Sequence, residues 1–492
     1  MTTDYNDRIE QAAADSADVI DNLTALLRRL GTLAEKAGVE RPGYLAPADL
    51  VAAISARVDI LSAKAAAHNA TLAEGLRTIG YNDTEIEQCL ADVPDLTMAD
   101  IDYARTFAEG WTVGKKTYGS SDINDLKLRI MPKVDYSEAT SVATLFQKAT
   151  NLEYIPTLDW PKVTTASYVF WKTAKLKRFP QVNAPEAVNI AALYCIFLEQ
   201  KAIKHLPPVI SHPKATNVAN LFAYLPAAAF DTLQTLDLNY GIITDATQIY
   251  VNSGVDTFML TEFTAPVKLS HAYWTQADYG YISNIKGDQS GTKWNIPHVT
   301  DISGAFYSCN ATAIDVSGIK TAECTSFDSV FNNTANLRSL DVSMWDVSAG
   351  ESMQWMFGDS GVEVLNFSHK RFKEGANLVS LCVDMPRLRE LILTDVDFTN
   401  TADQTCIDAY FYNLPSLETI IGPVTGLHNA VYLAGSPLLT VESAMVIING
   451  LADITDSGRA LGLYLHASAY NRLTPEQIAV ATSKGWRVVK NA

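Results

Sequence analysis

The first part of the chain carries two stretches in which apolar or small positions recur at alternating steps of four and three. This spacing is the a/d heptad pattern of helices that pack side by side. A Pro/Gly-containing break, "RPGYLAP", separates the stretches, and Pro47 suits the first turn of the second helix. The apolar seam consists of Ile9, Ile20, Leu23, Leu27 and Leu30 in the first stretch and Val51, Ile54, Val58 and Leu61 in the second.

We predict that residues 1–112 form an α-helical module. Two shorter helices are expected over 83–92 and 97–109, with Asn82 and Thr97 as N-caps. One interpretation is an intramolecular helical domain, and the other is a docking or oligomerisation module. The regular heptads favour the second, and an alanine-rich seam is compatible with a dimer or a trimer.

A second pattern repeats about every 25 residues, from about residue 135 to 430, in around eleven copies. The stretches "AIDVSGIKTAECTSFDSVF" and "SLDVSMWDVSAGESMQWMF" end at Phe331 and Phe357. Phe197 closes an earlier unit, and Cys382 takes the aromatic position in a later one. Residues 240–300 fit the period worst, which indicates an insertion or degenerate units.

One such unit is too short to bury its own apolar side chains, so the units are expected to stack. Stacking aligns Leu340 with Leu365 and phenylalanine with phenylalanine, and the short strands form a parallel sheet. We therefore predict a leucine-rich-repeat solenoid over residues 113–430.

Residues 431–492 leave the repeat and predict a small α/β cap for the solenoid. Thr440 is expected to begin a helix, and Thr474, Pro475 and Gln477 form a capping-box pattern for another. The segments "ALGLYLH" and "WRVVK" are predicted strands. The whole chain is accordingly assigned to the α+β class.

Residues 339–357 resemble the BspA-like leucine-rich repeats, whose units read "L-x-x-L-D-V-S-x-[FW]-D-[TV]-S…M-x-x-M-F". Trp345, Asp346, Met353 and Phe357 carry the likeness. Repeats followed by the C-terminal signature "LTPEQIAVATSKGW" are similar to structural proteins, of tail or fibre type, from phages infecting Bacteroidetes. The resemblance implies a solenoid fold and a surface-binding role, with the fold implied more strongly.

Composition and charge limit the classes of partner that the protein is expected to bind. Charged residues make up 19% and apolar residues 48%, so the chain should fold, and its net charge of −17 without a basic stripe argues against nucleic acid. The sequence contains no run of about 18 apolar residues, so membrane insertion is not expected. Residues 1–20 lack the features of a secretory signal, and none is expected. The six cysteines form no CxxC pair and are interpreted as core residues.

No catalytic, metal or cofactor site is predicted, because no HExxH, GxSxG or complete P-loop pattern is present. The aspartates of the Asp-Val-Ser steps, Asp315, Asp341 and Asp346, recur with the repeat. Recurrence favours a structural role in which each carboxylate accepts backbone N–H groups of a turn. A glycosidase that uses two of them is a disfavoured alternative.

One aromatic patch does not follow the repeat. It consists of Tyr273, Trp274, Tyr279, Tyr281 and Trp294. Exposed rings there would stack on sugars or anchor a protein partner. The alternative, an irregular core filled with large side chains, is favoured.

The expected function is that of a non-enzymatic virion structural protein, a fibre, tail or collar appendage. Its helices would bind other virion proteins or further copies of the chain, and its repeats would bind a host-surface glycan or protein. The alternative is a bacterial cell-surface adhesin with the same repeats, a class that needs a secretion signal.

Overall fold

The computed structural model describes residues 25–26, 28–36, 39, 47–125, 127–195, 203, 205–255, 261–273, 285–403 and 410–491. The chain divides into two compact units, Met1–Arg105 and Thr106–Ala492.

Three described helices follow one another in the first part of the chain: α1 Pro47–Thr78, α2 Asp83–Asp92 and α3 Met98–Glu109. The predicted caps are confirmed. Asn82 accepts a hydrogen bond from the N–H of Glu85 at 2.9 Å, and the Glu85 carboxylate accepts one from the N–H of Asn82 at 2.9 Å. The hydroxyl of Thr97 accepts the N–H of Asp100 at 3.3 Å.

The C-terminal part of α1 packs within its own unit. Leu76, Ile86, Cys89 and Ile101 are buried there. A Cβ on Gly75 would lie 2.9 Å from Cε of Met98, so the glycine permits this close approach. These contacts fit the intramolecular interpretation for this half of α1.

The second unit is a β-solenoid of about 12 turns. Backbone pairing between turns begins at Thr117, which pairs with Ser141, ahead of residue 135 where the repeat becomes recognisable in the sequence. A 3₁₀ helix spans Ala227–Thr232. The strands are β1 Leu158–Asp159, β2 Val182–Asn183, β3 Val209–His212, β4 Thr235–Leu238, β5 Val267–Lys268, β6 Lys286–Gln289, β7 Val299–Asp301, β8 Asn310–Ile314, β9 Ser339–Asp341, β10 Val364–Asn366, β11 Cys382–Val383, β12 Glu390–Ile392, β13 Val396–Asp397, β14 Phe411–Tyr412, β15 Thr419–Ile421 and β16 Val424–Thr425.

The predicted parallel sheet is confirmed. Six strands pair in the order β15-β12-β10-β9-β8-β6. Leu340 pairs with Leu365, Leu365 with Leu391, and Leu391 with Ile420, so equivalent apolar side chains lie above one another. All four are buried, which places the core inside the stack.

The predicted stacking of aromatic residues is also confirmed. We call this column the aromatic ladder, and it consists of Phe146, Phe170, Tyr194, Phe222, Tyr250, Tyr273, Phe306, Phe331 and Phe357. Ring centroids of its stacked neighbours lie 5.3 to 6.3 Å apart, and Phe179 bridges Phe170 and Tyr194. The expectation for Phe197 needs correction, because Tyr194 supplies that position, and Phe197 lies outside the described residues. Cys382 follows Phe357 in the stack, as expected.

Each turn bends sharply just before the ladder. The residue two positions ahead of each ladder aromatic has φ between 54° and 61°, as at Tyr168, Ala192, Ser329 and Trp355. Non-glycine residues seldom adopt this left-handed region, so the stack imposes it.

The turn after Lys268 is longer than its neighbours. Lys268 pairs with Asp301, 33 residues later, whereas Asp245 pairs with Lys268. This lengthening confirms the insertion expected within residues 240–300.

After the solenoid turns, three parallel strands pair in the order β17 Val431–Leu433, β18 Gly462–His466 and β19 Arg487–Asn491. The helices of this region are α4 Val441–Gly450, α5 Ala467–Tyr470 and α6 Pro475–Ser483. The capping box of Thr474 and Gln477 is confirmed, and Gly485 has φ 85° just beyond α6. The role of this region as a cap stays a prediction.

Candidate functional site

The two described members of the predicted aromatic patch are core residues. Tyr273 is a member of the aromatic ladder and is only 2% exposed, and Trp294 is 7% exposed. The two rings meet edge to face, with centroids 5.7 Å apart. The core alternative therefore holds for Tyr273 and Trp294, and Trp274, Tyr279 and Tyr281 lie outside the described residues.

A hydrogen-bonded relay runs beside these rings. Ser303 donates its hydroxyl to the Asp301 carboxylate at 2.7 Å, because a carboxylate only accepts. Ser270 then donates to Ser303 at 2.8 Å, and His271 donates from Nδ1 to Ser270 at 2.9 Å. Burial lowers the pKa of His271, which favours the neutral form of the ring.

This relay does not form a Ser-His nucleophile. The hydroxyl proton of Ser270 points to Ser303 and away from His271, so the imidazole does not act as a base on it. The ring of His271 lies against Gly304, where a Cβ would come within 2.6 Å of Cδ2. The relay's visible effect is to orient His271 in the long turn.

The aspartates of the Asp-Val-Ser steps have the structural role predicted for them. The carboxylates of Asp315, Asp341 and Asp346 each accept the backbone N–H two residues later, at 2.9 Å. Because each is hydrogen-bonded to its own turn, none is directed toward a shared reacting centre.

The cysteines and the metal-ligating side chains of the described residues do not converge on one site. The five described cysteines are buried. Burial raises the pKa of Cys309 to about 12, so that thiol is not a nucleophile near neutral pH. Within the described residues, no group of three or more His, Cys, Asp or Glu side chains is placed to hold a metal ion.

The solenoid unit carries shallow cavities. One of about 230 Å³ is lined by residues that include Phe107, Trp111 and Tyr118. Another of about 280 Å³ lies beside Pro423 and Met445. Both are smaller than the roughly 300–1,000 Å³ of pockets that enclose a small ligand. The surface is therefore better suited to a ligand that lies along it.

The predicted docking seam is only partly described. Val51, Val58 and Leu61 are more than two-fifths exposed, whereas Leu30 and Ile54 are half-buried. Ile9, Ile20, Leu23 and Leu27 lie outside the described residues. The exposed side chains leave an apolar face on the N-terminal half of α1, and its use in oligomerisation stays a prediction.

The sequence interpretation missed exposed rings on the solenoid, at Tyr168, Trp355 and Tyr412. Trp355 lies two positions before ladder residue Phe357, and Tyr412 follows Phe411; each side chain is 37% exposed. At the position of Trp355 other turns carry small residues, as at Ala192, Ser329 and Ser380, and one carries Tyr168. The position accepts small and aromatic residues, and both aromatic ones stay partly exposed.

The comparisons with known proteins match one part of the chain. Residues 276–376 match the model of a family described as "Mycoplasma protein of unknown function, DUF285". The match covers about a fifth of the chain, within the solenoid. Neither a curated protein nor a solved structure matches. Among the described residues, no helix combines the length and the apolar character needed to cross a bilayer.

Proposed function

We propose that the protein is a non-enzymatic binding protein that presents the side of its solenoid to an extended ligand on a host surface. We further propose that its turns are BspA-like leucine-rich repeats and that it is a structural appendage of a bacteriophage particle. The observation that supports binding is the in-register stacking of turns, as in the pairing of Leu340, Leu365 and Leu391. Equivalent surface residues thereby recur about every 4.8 Å, the spacing of paired strands.

Surface chemistry supports the same proposal. The recurring aspartates are used in turns, the described cysteines are buried, and the cavities are shallow. The net charge of −17 opposes binding to nucleic acid and to anionic membranes. A long, ordered surface suits recognition of a polymer or of a large protein partner.

Binding is tested with fluorescently labelled full-length protein and intact host cells. We expect saturable binding that unlabelled protein displaces. Absence of binding to a susceptible host under these conditions would refute the proposed binding function.

The phage assignment is tested separately, by mass spectrometry of gradient-purified particles from the source of the gene. We expect the chain to co-purify with capsid and tail proteins in constant ratio. Its absence from intact particles would overturn the virion proposal and leave the binding proposal standing.

Attachment through the helices is the third part of the proposal. We propose that the exposed face of α1 binds other virion proteins or further copies of the chain. Light scattering of the full-length protein should show an oligomer, which Val58→Asp with Leu61→Asp dissociates. Val113→Asp is the matched control, because Val113 is 62% exposed and lies outside α1. A monomeric wild-type protein would contradict self-association.

A bacterial cell-surface adhesin is the second candidate. The observation that favours it is the match of residues 276–376 to a family named for Mycoplasma, which is a cellular organism. Protease treatment of intact cells that express the native gene should then degrade the protein. Protection from the protease would argue against this candidate.

A further inference from the structure

The last turns of the solenoid carry two exposed rings, Trp355 and Tyr412, with the buried Val383 in the turn between them. We define the ligand strip as Trp355, Val383 and Tyr412 with Asp359, Asp384 and Asn413. The backbone fixes their alignment. Val383 pairs with Tyr412 in parallel register, and Asp359 donates its N–H to the carbonyl of Val383 at 3.0 Å. Asp384 donates its N–H to the carbonyl of Tyr412 at 3.1 Å, so the three turns follow in order.

Two exposed rings form the flat part of the strip. The ring of Trp355 covers Gly358, where a Cβ would lie 2.9 Å from its Cε3 and 3.2 Å from Cγ1 of Val383. Tyr412 continues the same column beyond Val383. The positions of Gly358 and Tyr412 are two turns apart, which is roughly 10 Å at the spacing of paired strands. Both rings are 37% exposed, so each offers a flat apolar surface to solvent.

The backbone conformation at Trp355 is unfavourable for a large side chain. Its φ is 57°, a left-handed conformation that disfavours large side chains. Ala192, Ser329 and Ser380 occupy the equivalent position in other turns and Tyr168 in one more, so the fold accepts an aromatic residue there without requiring it. Trp355 differs from Tyr168 in its surroundings, because Lys172 takes the position of Asp359 in the turn of Tyr168. We attribute the exposed ring of Trp355 to a ligand because a carboxylate and a second exposed ring, Tyr412, accompany it.

A column of polar residues follows the column of Gly358, Val383 and Tyr412 by one position along the chain. Asp359, Asp384 and Asn413 have φ of 53°, 51° and 52°, each two residues after the ladder position of its turn. The Asn413 amide donates to Asp384 at 2.6 Å. Within the described chain, no side-chain donor reaches the carboxylate of Asp359, which is exposed. That carboxylate is available to accept hydrogen bonds from a ligand.

We infer that the ligand strip binds a neutral or amino-sugar polysaccharide. This inference rests on the proposed binding function and names its ligand class. Aromatic rings stack on the apolar C–H faces of sugars, while carboxylate and amide groups pair with hydroxyls. The strip is open along the stack, which suits a polymer, and its two carboxylates repel an anionic one. A protein partner would lack this recurring combination of C–H faces and hydroxyls.

The test uses full-length protein and affinity electrophoresis through gels that contain dextran, mannan, xylan or chitosan oligomers, with alginate as the anionic comparison. We expect retardation by at least one neutral or cationic polymer and none by alginate. Trp355→Ala and Asp359→Ala should each weaken the interaction at least tenfold, and Trp355→Phe should retain most of it. Tyr168→Ala is the matched control, because Tyr168 also has a left-handed backbone and is 37% exposed.

A host-cell binding assay distinguishes an error in the ligand-strip inference from an error in the proposed binding function. Loss of cell binding in Trp355→Ala, together with loss after periodate oxidation of cell-surface glycans, would support the inference. If Trp355→Ala binds cells as the wild type does, the strip is refuted while the binding function stands. Binding that resists periodate and is lost on protease treatment of the cells would replace the glycan with a protein. Near-ultraviolet circular dichroism checks that each variant is folded.

Discussion

The ammonium nitrogen of Lys370 lies 2.9 Å from the carbonyl oxygen of Trp345, one turn earlier in the solenoid. The same nitrogen lies 2.9 Å from the carbonyl oxygens of Val342, Ser343 and Ser368. Lys370 is 1% exposed, so a single buried cation holds carbonyl groups of two successive turns. Buried carbonyls need donors, and here one side chain supplies several.

Replacement of Lys370 by methionine should destabilise the solenoid by roughly 3 kcal/mol, because buried carbonyl oxygens lose their donor. Urea unfolding monitored by circular dichroism measures the change. Lys373→Met is the control, since Lys373 is 45% exposed and pairs with the exposed Glu351. We expect that variant to cost less than about 1 kcal/mol. Equal effects of the two substitutions would contradict the role given to Lys370.

Truncating a side chain of the aromatic ladder should lower the free energy of unfolding more than truncating a side chain at the surface. Phe331 is fully buried between Phe306 and Phe357, with ring centroids 5.3 and 6.1 Å away. Phe331→Ala should lower the free energy of unfolding by about 3–5 kcal/mol, through lost burial and the cavity left behind. Met344→Ala should stay within about 0.5 kcal/mol, because Met344 is 68% exposed. Chemical denaturation of both variants checks the prediction, which a near-neutral Phe331→Ala would contradict.

Because Asp346 accepts a hydrogen bond in its turn, replacing it by alanine and by asparagine should change stability by different amounts. Asp346→Ala removes the acceptor of the Ser348 N–H and should cost about 1 kcal/mol. Asp346→Asn keeps an oxygen acceptor and should cost less than half of that. Thermal unfolding of the two variants provides the measurement. A larger loss in Asp346→Asn would show that charge, rather than the turn hydrogen bond, is what matters there.

Acid should destabilise the fold through His212. This residue is fully buried, and burial lowers its pKa to about 4 from an ordinary value of 6.5. Below pH 6.5 the unfolded chain takes up a proton that the folded chain excludes, so stability falls as pH drops from 6.5 towards 4. The loss approaches roughly 3 kcal/mol at 1.36 kcal/mol per pKa unit.

The comparison for this prediction is His212→Phe, which cannot titrate and keeps a ring beside Tyr194. Free energies of unfolding are measured between pH 7.5 and 4.5 for both proteins. The difference between them should change with pH in the window below 6.5 and stay constant above it. A constant difference throughout would rule out His212 as the titrating group.

Periodicity made much of the fold predictable. Leu340, Leu365 and Leu391 recur about every 25 residues. Repeated units of this length are too short to bury their own apolar side chains, so they bury them by stacking on one another. The helix starts at Asn82 and Thr474 were equally readable, because each cap is formed by residues three apart. Helix caps depend only on a short stretch of backbone, so the sequence pattern alone predicts them.

The site residues were less predictable, for a physical reason. The sequence left two interpretations open for Tyr273 and Trp294, an exposed patch and the favoured irregular core, and the structure shows that both are buried. Their exposure depends on which residues lie in the turns before and after them. The misfit to the period indicates extra length between Lys268 and Asp301, but it does not indicate which side chains the longer turn covers.

The sequence by itself determined that the chain stacks repeated turns, that leucines and aromatics align, and that the Asp-Val-Ser aspartates are used in turns. Only the tertiary structure decided that Tyr194 enters the ladder, that Lys370 holds carbonyls of two turns, and that Trp355 and Tyr412 stay exposed while Tyr273 is covered. The reason is that period follows from spacing along one chain, whereas burial follows from neighbours about 25 residues away, whose register is set by the folded backbone.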